Sequence, residues 1–513
     1  MQEYRPDALA AAITQSRAAL PRAVDALCDT IAEISGRAPD RRVVEHVGRL
    51  WLMHVCDQLA HLKSEGIESS DNTPADLSTR VPWRSSTFVI EAETRANAFR
   101  YLLQENVLRR ASLLGEQIRL QRFQRVTRRT LVSRLIGPRE ARVSVLLPYL
   151  KISGGSELRA AWRARRELRW DTDRQPQLPI PTVNEAARKS VAFAALQSDD
   201  TDQYLRALIA ITAPLDLVEN FWALHSWAAK QDFTPKLWYT ATAQHTSTAF
   251  MHRMAIARER GGRLLVHQHG GGYGIDEQHL GEDHDIAVSD RFYTFGWSRA
   301  DQPSRVGPLP TAMPQRLQGT PQGILLMSLP VTTEMYRLQP FSLPSHIERA
   351  VTLTSDFTFQ LVATTKLTLR HSGRDRFPMV RLANAQVTID EDAGLTPGSV
   401  AGSRAALVVH NYLGTSWLET LAMNVPTVCF YDPEFYRPRA EARPFLDALV
   451  RVGVLHYSGS EAAKFVNSLR GNPTAWWQSA EVQEAREAFV ARYANFNDNW
   501  LEAWTEEFER LLS

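Results

Sequence analysis

Two histidines followed by glycines form the part of the sequence best suited to acid–base chemistry. His267 and His269 stand two residues apart in the string HQHGGGYG, after an apolar run, Arg263–Val266, that predicts a strand. Side chains two apart on a strand share a face, and imidazole is the usual general base near neutral pH. The glycines let a substrate approach the backbone closely. We predict His269 and His267 as catalytic residues beside an acceptor or cleft loop made of Gly270, Gly271, Gly272 and Tyr273.

The same region also offers metal ligands. Glu282, Asp283, His284 and Asp285 follow the two histidines, and together these residues supply the nitrogen and oxygen ligands that zinc uses. A metal-dependent hydrolase built on them is therefore an alternative. His-x-His metallohydrolase barrels carry their motif near the first strand, whereas here it lies in mid-chain. We therefore predict that no metal is bound.

A second stretch, residues 405–432, predicts a strand, a tight loop, a helix and another strand. Its sequence is AALVVHNYLGTSWLETLAMNVPTVCFYD, in which Ser416 and Glu419 fit a capping box at the start of the helix. The loop and helix start then direct backbone N–H groups, two hydroxyls and the positive end of the helix at one point, which suits a phosphate. Glu419 could bind a ribose instead of capping the helix, and a unit that merely packs is the alternative for the whole stretch.

A third stretch, LTLRHSGRD at 367–375, predicts a strand that ends in Arg370 and His371. A cation and an imidazole would then lie at the carboxyl edge of a parallel sheet, where ligands of open α/β folds bind. Arg374 could add a phosphate contact. The predicted donor-binding residues are Arg370, His371, Asn411, Gly414, Thr415, Ser416 and Glu419.

The predicted elements that position these residues are strands and helices that alternate along the chain. At 513 residues the chain is longer than one core usually serves, and strands that alternate with helices predict parallel, doubly wound sheets. We predict a mainly helical N-terminal part of the first lobe at 1–135 and a first Rossmann-like domain at 136–300. A proline-containing linker at 301–322, a second Rossmann-like domain at 323–475 and C-terminal helices at 476–513 are predicted to follow. The second domain's strands are predicted at Gly323–Ser328, Gln360–Ala363, Leu367–Arg370, Gln386–Ile389, Ala406–Val409 and Thr427–Tyr431.

Composition narrows the class of protein. The chain is 44% hydrophobic and 23% charged with a net charge of +2, which gives no overall attraction to nucleic acid. An N-terminus without a signal-peptide pattern and the absence of a long apolar run predict a cytoplasmic protein. The segment 108–142 is rich in arginine. A solvated helix face is one explanation, and peripheral contact with the anionic inner face of a membrane is the other.

Taken together, these motifs resemble GT-B glycosyltransferases, in which two Rossmann-like domains face each other across a cleft. They are most like the group that contains CDP-glycerol glycerophosphotransferases and bacterial sialyl and Kdo transferases. The strings HQHGGGYG, SDRFYTFGW and HNYLGTSWLETLAMNVPTV also resemble a family of transferases from bacterial surface-polysaccharide gene clusters, over most of the chain. The resemblance implies a metal-independent glycosyltransferase that uses a nucleotide-sugar as co-substrate, without another cofactor.

The resemblance also implies roles for individual residues. His269, with Gly270, takes the place of the first-domain base, while His371 and the pair Thr415 and Ser416 take the places of the nucleotide- and phosphate-binding motifs. His371 is followed by Ser372 rather than Pro, and Thr415 replaces a Ser, so a CMP-linked acidic sugar is one donor among several. The acceptor is expected to be a surface glycan or a glycolipid. A non-catalytic protein that binds a nucleotide or a sugar with the same fold is a further alternative.

Overall fold

The structure is a computed structural model, and it describes residues 6–64, 142–146, 168–170, 176, 178, 181–197, 203–231, 235–314, 320–329, 344–362, 365–370, 387–390, 398–434 and 436–513. The chain begins with two helices, α1 (Pro6–Ser35) and α2 (Arg41–Ser64), and the second matches the predicted amphipathic stretch. They pack against each other, and Val24, Leu27 and Val44 are buried in the core of the first lobe. The N-terminal helices are therefore part of that lobe.

Six parallel strands form the sheet of the first lobe. They are β1 (Val143–Leu146), β2 (Leu168–Trp170), β3 (Leu237–Thr240), β4 (Arg263–His267), β5 (Arg291–Thr294) and β6 (Val306–Pro308), in the spatial order β2-β1-β3-β4-β5-β6. β3 and β4 are buried along nearly their whole length, as expected of parallel strands covered on both faces. Helical segments connect the strands: α3 (Glu185–Leu196), α4 (Gln203–Thr212), a 3₁₀ turn (Leu215–Leu217), α5 (Phe221–Ala229), α6 (Ala243–Thr246), α7 (Thr248–Glu259) and α8 (Leu280–Val288).

The second lobe repeats this plan. After a short strand, β7 (Thr311–Ala312), its six parallel strands are β8 (Ile324–Met327), β9 (Leu367–Arg370), β10 (Val387–Ile389), β11 (Leu407–His410), β12 (Thr427–Phe430) and β13 (Leu455–His456). Their order, β10-β9-β8-β11-β12-β13, is the 3-2-1-4-5-6 order of dinucleotide-binding folds. Its helical segments are α9 (Pro344–Gln360), α10 (Gly398–Gly402), α11 (Thr415–Ala422), α12 (Arg443–Arg451), α13 (Gly459–Ser468) and α14 (Thr474–Trp477).

The C-terminal segment ties the two lobes together. Helix α15 (Ala480–Tyr493) packs on α11 and α12 of the second lobe. The chain then crosses back through β14 (Phe496–Asn497), which pairs with β7, to helix α16 (Trp500–Leu512). Trp504 of α16 lies against Tyr239 and Tyr293 of the first sheet, at ring distances of 4.5 and 5.1 Å. The two parallel α/β lobes of the GT-B architecture are thus confirmed, with a helical N-terminal extension.

The structure differs from the predicted elements in several places. Strands β2 and β13 were not predicted, because each has only two or three residues. Val306–Pro308 lies within the predicted linker but forms the edge strand of the first sheet, where a proline is tolerated because an edge needs fewer ladder bonds. The strand predicted at Gln360–Ala363 is not found at its described residues, since Gln360 ends α9 and neither Leu361 nor Val362 belongs to a strand. Phe357 and Leu361, four residues apart, both pack on the core of the second sheet, so helical spacing explains this apolar run.

Two other predicted features lie outside the described residues, namely His371 with Arg374 and most of the arginine-rich segment 108–142. Arg142 is described, and its guanidinium donates a hydrogen bond of 2.7 Å to the Leu512 carbonyl oxygen of α16. Within the described ranges, no helix combines the length and the apolar character needed to cross a membrane.

Candidate functional site

The candidate site lies where loops from the two lobes meet. The loop after β4 carries Gly270 and Gly271, and the loop after β11 ends at Leu413 and Gly414. A Cβ atom added to Gly271 would overlap the Leu413 carbonyl oxygen and lie 2.6 Å from the Gly414 carbonyl carbon. A Cβ on Gly270 would lie 3.7 Å from Thr415 Oγ1. The glycine loop of the first lobe therefore contacts the start of helix α11 in the second.

His269 sits at the base of this loop in a network of buried polar groups. Its Nδ1 atom lies 3.9 Å from Asp285 Oδ2 and 3.5 Å from the Tyr273 hydroxyl. That hydroxyl donates to Asp285 Oδ2 at 2.8 Å, while His245 Nε2 lies 2.6 Å from Asp285 Oδ1. Gln244 donates to the same Oδ1 atom at 2.8 Å. The Asp285 carboxylate thus forms hydrogen bonds with His245, Tyr273 and Gln244, and it lies near the imidazole of His269.

Asp285 is the electrostatic centre of this network. Its side chain is fully buried, and burial alone would raise its pKa. The neighbouring imidazoles of His245, His269 and His284 more than offset burial and hold the pKa of Asp285 well below its usual range. The carboxylate therefore stays ionised at neutral pH, where it stabilises a proton on a nearby imidazole.

The structure separates His267 from His269, contrary to the prediction that both side chains point to the same side. Strand β4 ends at His267, so the two-residue repeat does not reach His269. His267 is fully buried, its Nδ1 atom lies 3.1 Å from the Tyr239 hydroxyl, and its ring packs against Trp504. Burial lowers the pKa of His267 to about 3. These contacts make it a neutral core residue behind the site.

Gln268, between the two histidines, fixes the shape of the glycine loop. Its Nε2 donates to the Gly270 carbonyl at 2.8 Å, and its Oε1 accepts from Phe295 N and from Trp297 Nε1 at 3.0 and 2.9 Å. The loop continues with Gly272, which has a φ of +83°, a value that favours glycine. Sequence reasoning did not single out Gln268, because two of its partners, Phe295 and Trp297, lie 27 and 29 residues later in the chain.

Helix α11 begins differently from its prediction. Thr415 is the first helical residue and Gly414 is the N-cap, with no side-chain capping bond, so Ser416 and Glu419 do not form the expected capping box. Thr415 and Ser416 are half-buried in the first turn, whose N–H groups have no partner within a helix. Glu419 is buried one turn further along. The hydroxyls of Thr415 and Ser416 therefore lie beside the free N–H groups at the positive end of the helix.

The remaining predicted donor-binding residues make contacts within the second lobe. Arg370, at the end of β9, forms an ion pair with Asp390 beyond β10. The Asn411 amide accepts from Leu329 N at 2.6 Å and donates to Thr354 Oγ1 at 2.8 Å. Asn411 thereby shapes the loops after β8 and β11. These two neighbouring strands flank the point where the strand order reverses, the usual place for a ligand in such sheets.

Of the four residues at Glu282–Asp285, Asp285 and His284 lie in the cluster around His245 and His269, and the ring of His284 is 5.2 Å from that of His245. Glu282 accepts hydrogen bonds from Gly274 N and from Arg439 Nη2 of the second lobe, both at 2.8 Å. Asp283 pairs with Arg17 of α1 at 2.6 Å, and His284 Nε2 lies 3.4 Å from the Gln244 carbonyl oxygen. Glu282 thus joins the lobes. The predicted ligand set is therefore divided among three places.

A different set of side chains could hold a metal ion. Within the described part of the chain, ligand atoms of His245, His269 and Asp285 all lie within 4.8 Å of one another. Two imidazoles and a carboxylate suit zinc or another first-row divalent ion. His245 was missed by sequence reasoning because it precedes α7 in a stretch, ATAQHTSTAF, with no ligand spacing.

Comparisons with known proteins agree with the transferase resemblance. A family model described as LIC12162 family transferase matches residues 89–508, most of the chain. A search of curated proteins found no match.

Similar solved structures share little sequence with this chain. MurG of Acinetobacter baumannii is 10% identical, with coverage of 72% of this chain and 99% of that chain and a TM-score of 0.38. The glycosyltransferase SnogD of Streptomyces nogalater is 14% identical, with coverage of 72% and 99% and a TM-score of 0.38. CalG4, the calicheamicin glycosyltransferase, is 13% identical, with coverage of 73% and 98% and a TM-score of 0.34. Likenesses at this level identify neither a substrate nor a reaction.

Proposed function

The chain belongs to the LIC12162 family of transferases, and from this premise we propose that it moves a sugar from a nucleotide donor to a hydroxyl group of a glycan or glycolipid acceptor. The observation that carries the proposal is the contact between the glycine loop and the start of α11. Through Gly270, the residue after His269, the loop of one lobe reaches Thr415 at the N-terminus of α11 in the other. A base and an anion site on opposite walls of one cleft are what group transfer from a phosphate ester requires.

On the donor side, α11 receives the phosphate next to the sugar. The free N–H groups of its first turn and the hydroxyls of Thr415 and Ser416 donate hydrogen bonds to phosphate oxygens. The positive end of the helix stabilises the charge that develops when the bond between the sugar and the phosphate breaks. The nucleotide then leaves with the electron pair of that bond. His371 and Arg370 remain part of this proposal as predicted neighbours of the nucleotide.

On the acceptor side, His269 accepts the proton of the attacking hydroxyl. The acceptor oxygen forms the new bond to the sugar carbon as the phosphate leaves, and the proton moves to the imidazole. Asp285, ionised and linked to His269 through the Tyr273 hydroxyl, stabilises the imidazolium. Gly271 lacks a side chain, which allows the loop after His269 to approach Leu413 and Gly414 of the second lobe closely. His267, which is enclosed in the core, has no role in this mechanism.

A metal-dependent enzyme is the second candidate, favoured by the grouping of His245, His269 and Asp285. If a divalent ion binds there, the two imidazoles become ligands and His269 no longer serves as the base. We favour the metal-independent transferase because Asp285 already has hydrogen-bond partners in Tyr273 and Gln244. Treatment with EDTA separates the two: the transferase keeps its turnover, whereas a metal enzyme loses it and regains it with added zinc.

The test of the proposed function begins with the nucleotide. CMP, CDP, UDP and GDP are added in turn to the full chain, and the melting temperature is measured. A nucleotide at about a hundred times its Kd adds roughly 2.7 kcal/mol of stability. We expect one of them to raise the melting temperature, and the matching nucleotide-sugar then serves as donor in an assay of nucleotide release. A lack of any shift contradicts the proposal.

The second step separates catalysis from binding. In His269→Gln, the nucleotide still binds at α11, while turnover falls because the base is lost, by about a hundredfold or more. A variant that keeps full turnover would support a different base. A chain that binds nucleotide without any turnover in either form would support the non-catalytic alternative. The acceptor, contact with a membrane and a cytoplasmic location stay predictions.

A further inference from the structure

A second pocket lies on the side of α8 away from Asp285. It has a volume of about 980 Å³, and its walls come from α1, α2, α8, the loop at 298–305 and parts of the chain around Arg439 and Tyr493. The N-terminal helices, the first lobe, the second lobe and α15 therefore all contribute to it. None of the residues assigned above to the base or to the phosphate site lines this pocket.

The lining of this pocket is rich in guanidinium groups. Its lining also includes four carboxylates, those of Glu277, Asp283, Asp301 and Glu441, two fewer than its arginines. Glu45 and Glu282, which do not line the pocket, pair with Arg49 and Arg439. The arginines that line it, here called the arginine pocket, are Arg17, Arg49, Arg299, Arg305, Arg439 and Arg492. Guanidinium groups are the side chains best shaped to bind phosphate oxygens in pairs.

Two of these arginines, Arg49 and Arg305, are partly removed from water, which is unfavourable for their positive charge. The Nε–H of Arg49 is buried and donates to no partner among the described residues, although its Nη1 pairs with Glu45 at 3.0 Å. Burial lowers the pKa of Arg49, and the positive charge of Arg305 lowers it further, against the opposing effect of Glu45 and Asp283. Burial also lowers the pKa of Arg305. A bound anion would offset both effects.

The geometry of Arg305 shows that its position is fixed before any ligand arrives. Its guanidinium donates to the Ala287 and Ser289 carbonyl oxygens at 3.0 and 2.8 Å, at the end of α8. Arg439 is likewise fixed, by its 2.8 Å hydrogen bond to Glu282. Preorganised cations bind an anion with less loss of side-chain entropy than flexible ones. The pocket also has apolar lining, which includes Leu20, Met53 and Ile286.

From these observations we propose that the arginine pocket binds a ligand through a phosphate or diphosphate group. The site is separate from the donor phosphate site at α11, and it does not depend on the proposed glycosyl transfer. Arg439 belongs to the second lobe and Arg49 to the N-terminal helices, so the pocket has walls from both parts of the chain. A ligand that contacts both walls stabilises the contact between them.

The test uses inorganic pyrophosphate as the probe and isothermal titration calorimetry of the full chain as the measurement. Arg49→Met removes the charge while it keeps an unbranched side chain on α2. Arg41→Met is the matched control, because Arg41 lies on the same helix and also pairs with Glu45, at 3.3 Å, but does not line the pocket. We expect Arg49→Met to raise the Kd about tenfold or more, and Arg41→Met to leave it unchanged.

Stoichiometry separates this pocket from the site at α11. If pyrophosphate binds at both, the wild-type chain takes up two molecules and Arg49→Met retains one. Arg49→Lys, which restores a charge without the guanidinium fork, should recover part of the affinity. Failure of the wild-type chain to bind pyrophosphate, or equal binding by Arg49→Met at unchanged stoichiometry, overturns the proposal. Neither result bears on nucleotide release, so the proposed function is tested separately.

A second arm identifies the kind of phosphate. Geranyl diphosphate carries the same charged group on an apolar chain, and it is titrated in the same way. Tighter binding than that of pyrophosphate, lost in Arg49→Met, supports a ligand with an apolar portion against Leu20 and Met53. Equal binding of the two probes supports a free phosphate compound. Both results support the site, provided that Arg49→Met weakens the binding of both probes.

Discussion

Asp285 determines what His269 can do in the proposed mechanism. It is the shared partner of Tyr273, Gln244 and His245, and it lies 3.9 Å from the imidazole of His269. A buried carboxylate that stays ionised raises the affinity of a neighbouring imidazole for a proton. It acts through His269 and does not face the acceptor, so we class it as a positioning residue.

We expect Asp285→Asn to lower kcat by about a hundredfold, because the imidazolium formed during the reaction loses its counter-charge. The variant keeps the volume of the side chain and should still show the melting-temperature shift with nucleotide, which checks that the donor site is intact. The pH profile of kcat is the decisive measurement. Its acid limb should move to lower pH, since His269 without the carboxylate binds its proton less tightly. An unchanged profile would assign Asp285 to packing alone.

The glycine loop allows a second prediction at single residues. Gly271 and Gly270 are neighbours, but a Cβ on Gly271 would overlap Leu413 in the other lobe, whereas one on Gly270 would lie 3.5 Å from the Tyr273 ring, an ordinary contact. Gly271→Ala should therefore force the lobes apart and lower kcat/KM at least tenfold. Gly270→Ala should have a much smaller effect. Equal losses in both variants would show that the contact between the lobes does not matter for activity.

At the scale of elements, the sequence predicted the strands, because a strand is recognised from the order of residues within a short stretch of the chain. β9 was predicted at its observed bounds, Leu367–Arg370, and most other strands within a residue or two, because buried parallel strands are short apolar runs between turns. His269 and Thr415–Ser416 were predicted as site residues for the same reason, since both follow such strands, and their roles stay predictions. Partners such as His245 and Asp285, 40 residues apart, could not be found, because no local pattern records which helices pack together.

Helix α16 gives a prediction about an element that sequence reasoning placed outside the first lobe. Trp504 is fully buried, its ring lies against Tyr239, Tyr293 and His267, and its Nε1 donates to the Pro310 carbonyl oxygen at 2.8 Å. Trp504→Ala should lower the free energy of unfolding by about 3–5 kcal/mol, measured by urea denaturation. The exposed Glu506→Ala on the same helix is the control, with a change within about 0.5 kcal/mol. Similar values for both would contradict the docking of α16.

At the scale of the whole molecule, buried histidines make the fold sensitive to acid. His252, His267, His284 and His410 are all fully buried, and burial is the main reason why the pKa of each is lowered to about 3. In the unfolded chain their pKa returns to about 6.5. Below that pH the unfolded state binds protons that the folded state does not, so acid favours unfolding.

We expect the free energy of unfolding, measured with urea at pH 7.5, 6.5, 5.5 and 4.5, to fall steeply below pH 6.5. Each buried histidine contributes up to about 1.4 kcal/mol per pH unit. Asp276 opposes this trend, because burial raises its pKa to about 8 and the folded state then holds the extra proton. Burial also raises the pKa of Glu282, but it lowers the pKa of His46 and that of His279, so the histidines outnumber these two carboxyls. His252→Leu removes one titrating group and should make the slope shallower by about 1.4 kcal/mol per pH unit. A stability that is constant between pH 7.5 and 4.5 would mean that these histidines accept protons in the folded state, which requires water to reach positions that the packing of both lobes closes.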